Sequence, residues 1–321
     1  MAWFALENIE EALKDSKELL LPFNLLTWAK LALIIILTGY IAAPSVLYIP
    51  FSEADAIDED LDIGMVIEEE GFENTTISES FQQINSAWTL ETLFLIIIGG
   101  FTGLIALITY IASVFEFVMY KSLIDRKIRI GNASDYLWEG LQFSIFRAVS
   151  AVAILLTLVL AITTISVLNP SFNASGVLTG LFVSGAAFTV VVAVAILQWI
   201  VFNFALINMI ENRNNLLKAF SLALTQVRDE FQQVAVYWIV KIVISLGLGL
   251  LSASIVAPLA LIGLFASIVF GFLLAMINPL LVVPILLAYI MFILVASVAV
   301  AVPVRTYLYY YTVEMYRDVF Q

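Results

Sequence analysis

Apolar residues run along this chain in long blocks, separated by short polar segments that carry most of the charge. Blocks at about 25–48, 92–118, 148–168 and 178–206 each reach the roughly 20 residues that a helix needs to cross a bilayer. From 242 to 304 there is no charge at all. Three crossings fit in that length, but they would carry Arg305 and Arg317 to the opposite side from the other basic residues. Two crossings, 237–258 and 282–304, keep them together. Residues 259–279 then form a re-entrant or interfacial segment, broken at Pro258 and at Asn278-Pro279, although a long tilted helix fits the same residues.

The polar segments share a pattern. The first reads Glu7-Asn8 through Leu13-Lys14, with Trp28 and Lys30 opening the following span. The third reads Glu211-Asn212 through Leu217-Lys218, with Trp238 and Lys241 opening its span. The second, Gly131-Asn132 through Leu137-Trp138 before Arg147, is weaker, yet an Asn with Leu five residues on recurs in all three. The unit is an amphipathic helix in the headgroup layer followed by a hairpin of two spans. Any short helix ahead of a span gives a similar pattern, so the repeat is one of two readings.

The sequence is therefore all-α: a polytopic bundle of six transmembrane helices with interfacial amphipathic helices, in one membrane domain over 1–321. Within it, 1–24 forms a cytoplasmic interfacial helix and 50–90 an acidic outer loop. Residues 119–147 and 207–236 are cytoplasmic amphipathic segments, and 305–321 a cytoplasmic tail. Composition agrees. Apolar residues make up 62% of the 321 and charged residues 12%, and mean hydropathy is +1.04. Ordinary soluble domains carry about twice that share of charge.

Charge sets the orientation. No Lys or Arg lies between Lys30 and Lys121, while the acids from Glu53 to Glu91 match the whole net charge of −12. The 14 basic residues fall in four clusters at span ends, around Lys14–Lys30, Lys121–Arg147, Arg213–Lys241 and Arg305–Arg317. Six spans put all of them on one side, the cytoplasmic one by the positive-inside tendency, with both termini there.

The absence of Cys and His excludes disulfides, thiolate nucleophiles, Cys/His metal sites and His-based triads. No phosphate-binding Gly loop and no strongly basic patch occur, so nucleic acid is not an expected partner. The spans offer no paired Asp, no Ser with a base and no metal motif for intramembrane proteolysis.

Four positions or groups carry candidate chemistry. Asp58, Asp60, Asp62 and Glu69 stand at calcium-loop positions 1, 3, 5 and 12, but Gly64 falls one place late for that turn. A solvated acidic loop explains the same residues. Glu116, close to a span end, is either an intramembrane proton or cation site or a carboxylate reaching back to Lys121 or Arg126. Asn278 is the polar residue of the broken segment. Asn74 and Asn173 lie in outward sequons open to glycosylation, whereas Asn132 faces the cytoplasm. The Gly99-Gly103 spacing and the Ser245, Gly249, Ala253 stripe read as internal helix packing. Tyrosines 307, 309, 310, 311 and 316 read as an interfacial belt.

Two runs carry a resemblance. Residues 211–245, ENRNNLLKAFSLALTQVRDEFQQVAVYWIVKIVIS, are similar to the membrane domain appended to some bacterial glycerophosphodiester phosphodiesterases, and the ending from Pro303 to Tyr311 fits that family's close. The opening from Trp3 through Pro22-Phe23-Asn24 to Lys30 resembles uncharacterised haloarchaeal membrane proteins. The resemblance implies a six-span fold in a prokaryotic plasma membrane and transfers no catalytic residue. The expectation is a non-enzymatic structural or accessory component of a membrane assembly, in contact with lipids and other membrane proteins. The alternative is a lipid-handling or small-solute permease with a cavity near 258–279.

Overall fold

The computed structural model describes residues 4–38, 90–168, 174–278, 280 and 282–320. The calcium-loop residues Asp58, Asp60, Asp62 and Glu69, and the sequons at Asn74 and Asn173, lie outside the described residues. The chain divides into two compact units, Met1–Val46 with Thr109–Gln321, and Leu47–Ile108. The Gly99-Gly103 spacing belongs to the second unit, whose described part is the opening of one helix.

The described residues are almost entirely helical. Helix α1 is Phe4–Leu20, α2 Leu25–Leu37 and α3 Leu90–Ile124; a 3-10 segment, Ile130–Tyr136, leads into α4, Leu137–Leu168. Helix α5, Ala174–Ile200, passes through a π turn at Val201–Ala205 into α6, Leu206–Asn212. Helices α7, Leu216–Asp229, α8, Phe231–Ala275, and α9, Val282–Phe320, complete the chain. Five of these runs are long and apolar enough to cross a membrane, and the α1–α2 pair brings the number to six if its two arms count as one span. The protein is a multi-pass membrane protein.

The α1–α2 corner turns the chain through 118°. Asn24 caps α2 by accepting from the Leu26 amide at 3.0 Å, and Trp28 Nε1 donates to the Leu20 carbonyl at 3.2 Å. These bonds satisfy a donor at the start of one helix and a carbonyl at the end of the other.

Residues 259–279 are not a separate re-entrant segment. Helix α8 runs unbroken through Pro258 to Ala275. Proline removes one helical hydrogen bond, and membrane helices tolerate this where other groups make up the polar balance. The break comes only at Asn278, whose side chain accepts from the Leu280 amide at 3.0 Å. At 1.5 Å per residue, α8 is about 68 Å long, against a hydrocarbon layer of about 30 Å. The long-helix alternative absorbs the extra apolar residues.

Helix α1 is held by protein on one side. It packs on α9, and its buried stripe contains Ala5, Asn8, Ala12 and Asp15, while Leu6 and Leu13 are exposed. Small residues at 5 and 12, seven apart, lie on one helix face and allow close approach. The Tyr311 hydroxyl donates to the Ala5 carbonyl at 2.8 Å. That packing also corrects the reading of the tyrosines. Tyr309, Tyr310, Tyr311 and Tyr316 are buried in protein rather than displayed as a surface belt.

The three patterned segments adopt three different backbones. Asn8 lies inside α1, Asn132 in the 3-10 segment, and Asn212 is the last residue of α6, followed by Arg213 in the left-handed region at φ 49°. The Ser245, Gly249, Ala253 stripe does not form a close crossing, since a Cβ on Gly249 would meet nothing within 4 Å. The tight crossing is at Gly140. A Cβ there would stand 2.4 Å from Val114 Cγ2 and 3.0 Å from the Val114 Cα. Only glycine lets α4 approach α3 this closely.

Candidate functional site

Two features stand out within the larger unit, a buried polar network and an apolar cleft. The network begins at Glu116, two residues along α3 from Val114 at the Gly140 crossing. Residues 140, 143 and 147 share one face of α4 by their spacing of three and four. Arg147 reaches Glu116 Oε2 through Nη2 at 2.7 Å, and its guanidinium lies over the rings of Phe143 at 4.7 Å and Phe202 at 4.5 Å. Tyr309 of α9 donates to the other carboxylate oxygen of Glu116 at 2.8 Å. Glu116 is 4% exposed, and a lone buried carboxylate would be very costly. Both its oxygens are engaged, and the contact clamps α3, α4 and α9.

Neither sequence-level partner of Glu116 is used. Lys121 pairs with Asp125 at 2.9 Å, and Arg126 with Asp15 of α1 at 2.6 Å. The actual partner is one helix further on, and its register depends on Gly140.

A second part of the network surrounds Lys241. Its ammonium donates to the Asn203 side-chain oxygen, to the Tyr237 hydroxyl at 3.0 Å and to Thr312 Oγ1 at 2.8 Å. Asn203 sits in the π turn, and such turns offset side chains and collect at functional positions. Its Nδ2 donates to the Trp199 carbonyl at 2.6 Å. The ammonium is thus held by three neutral oxygens from α8, α9 and the π turn. Arg147 and Lys241, at span ends in the sequence reading, are half-buried and bonded into this network.

Asn278 joins neither part. It is exposed in the turn between α8 and α9. Among the described residues no group of three or more acidic side chains is placed to hold a metal ion.

The cleft has a volume of about 920 Å³ and lies between the α1–α2 corner and the α8–α9 pair. This is near the upper end for small-molecule sites. Leu13, Leu20 and Leu21 form one wall, Ile244, Gly247, Leu248, Leu251 and Ile255 of α8 the second, and Ala299, Val300 and Pro303 of α9 the third. Lys17, Ser16, Ser252, Trp28 and Tyr307 are the remaining lining groups with polar atoms. On α8 the cleft runs from Ile244 to Ile255, short of the residues 258–279. Pro303 and Tyr307, both in the run that fits the family's close, line it.

Basic residues gather around the buried network, the basic end of this unit: Arg126 meets α1, Arg147 meets α3, and Lys241 meets α9. No curated protein and no solved structure matches the chain. A family match covers residues 3–321, nearly the full length, and the chain belongs to that family, described as Family of unknown function (DUF7544).

Proposed function

We propose that this is a non-enzymatic, lipid-handling protein of a prokaryotic plasma membrane, with its basic end and both termini facing the cytoplasm. The observation that carries the reading is the cleft. Its walls are aliphatic, its volume suits a long chain, and Trp28 and Tyr307 are the residue types that settle at the headgroup level. The buried network at the same end holds α3, α4, α8 and α9 together, which gives the cleft a fixed pair of walls.

A direct test uses Gly247, which lines the cleft and has open space around its Cβ position. The protein is extracted with its native lipids into nanodiscs, released in the mass spectrometer, and retained lipid is counted. Wild type is expected to keep lipid, and Gly247→Trp to lose it. Equal retention by both proteins overturns the reading. It would leave the second one, a structural component of a membrane assembly, which the Glu116–Arg147–Tyr309 clamp also supports.

A further inference from the structure

The cleft is apolar on three sides, and one charged group stands at its edge. Lys17 lines it. The acids close to Lys17 in α1 are turned to another partner: Asp15 pairs with Arg126 at 2.6 Å, and Glu18 approaches the same guanidinium at 3.6 Å. Among the described residues Lys17 has no ion pair and no side-chain hydrogen bond. Arg126 stands in the left-handed region at φ 51°, just past the end of α3, where it meets both acids. The arrangement holds Asp15 and Glu18 on the Arg126 side and leaves the Lys17 ammonium without an ion pair at the edge of an aliphatic slot.

We infer that the cleft selects a phospholipid with a net negative headgroup, one acyl chain lying along the α8 and α9 walls and the phosphate meeting Lys17. This rests on the lipid-handling reading and names the class of lipid. Charge complementarity supports it, because a zwitterionic headgroup brings its own cation and gains little from a second one. A single lysine at a membrane surface is worth about a fivefold change in binding. Trp28 and Tyr307 supply the amphipathic rings that sit beside headgroups.

The test titrates delipidated protein with phosphatidylglycerol or phosphatidylcholine of identical chains, read by native mass spectrometry. Wild type is expected to prefer phosphatidylglycerol by about fivefold, Lys17→Gln to bind both equally, and Lys17→Arg to keep the preference. Gly247→Trp should bind neither. Equal binding of both lipids by wild type, or an undiminished preference in Lys17→Gln, overturns the headgroup assignment while the cleft reading stands. Full binding by Gly247→Trp overturns the cleft itself. Lys17→Arg serves as the folding control, since a preference lost in both variants would trace to a disturbed α1 and also count against Lys17.

Discussion

The basic end of the bundle and the far part of the α8–α9 pair are built from similar side chains and treat them in opposite ways. At the basic end Phe117, Phe143, Phe204, Leu206, Tyr237 and Tyr311 are fully buried. Beyond the cleft, Leu261, Ile262, Phe265, Ile268, Phe270 and Phe272 are all exposed. In water the second set would collapse. In a bilayer it has no reason to, because lipid tails are as apolar as leucine and association depends on packing and polar contacts instead. Burial in this molecule therefore follows charge and backbone irregularity, namely the Glu116–Arg147 pair, the π turn and the Gly140 crossing.

The largest effects should come from separating charges at the packed end. Arg147→Met leaves the Glu116 carboxylate buried with only Tyr309, and should cost about 3–5 kcal/mol. Denaturant titration in micelles measures it. The double variant Glu116→Gln/Arg147→Met should recover most of that loss. If it stays as unstable as the single variant, the pair acts through shape, not charge. Gly140→Ala comes next, at about 1–3 kcal/mol for overpacking, because the new methyl would lie 2.4 Å from Val114 Cγ2. Val114→Ala should relieve part of this in the double variant. Failure to relieve it would point to the 3.0 Å approach of the Val114 backbone instead.

A smaller effect is expected around Lys241. Tyr237→Phe removes a hydroxyl that donates to Thr312 at 3.0 Å and accepts from the ammonium at 3.0 Å. Loss of about 1–2 kcal/mol is expected, since one of three oxygens around a cation disappears. An unchanged midpoint would mean that the Asn203 and Thr312 oxygens suffice.

These same residues show how far the sequence could be read. Apolar block length determined the helical class and the five to six long apolar helices, because block length is a local quantity. Contacts between helices are not local. Glu116 was visible as a costly charge, but its pairing with Arg147 instead of Lys121 or Arg126 depends on how closely α4 crosses α3. Nothing in the letters around Gly140 marks that crossing above the other glycines. Helix α1 adds a contact of the same kind. Its leucines gave an amphipathic face, and the structure buries the small and polar face because Tyr311 and Arg126 lie there to meet Ala5 and Asp15. Pro258 misled because a rule for soluble helices does not carry over unchanged to a bilayer, where an interrupted hydrogen bond in a long apolar run rarely ends the helix.

The smallest expected effect is the one that tests the comparison most directly. Leu261 is 66% exposed on α8, beyond the cleft. Shortening a core leucine to alanine loses transfer energy and leaves a cavity. At a lipid-facing site a tail moves into the vacated space, so neither loss is felt in full. Leu261→Ala should therefore shift stability by no more than about 0.5 kcal/mol, measured in micelles by the same titration used for Arg147→Met. A loss of several times that size would mean that protein, not lipid, covers this face. Concentration dependence of the loss would then identify a second copy of the chain as the cover. In that case the far part of the α8–α9 pair would be an interface, and its contrast with the basic end would be one of assembly, not of solvent.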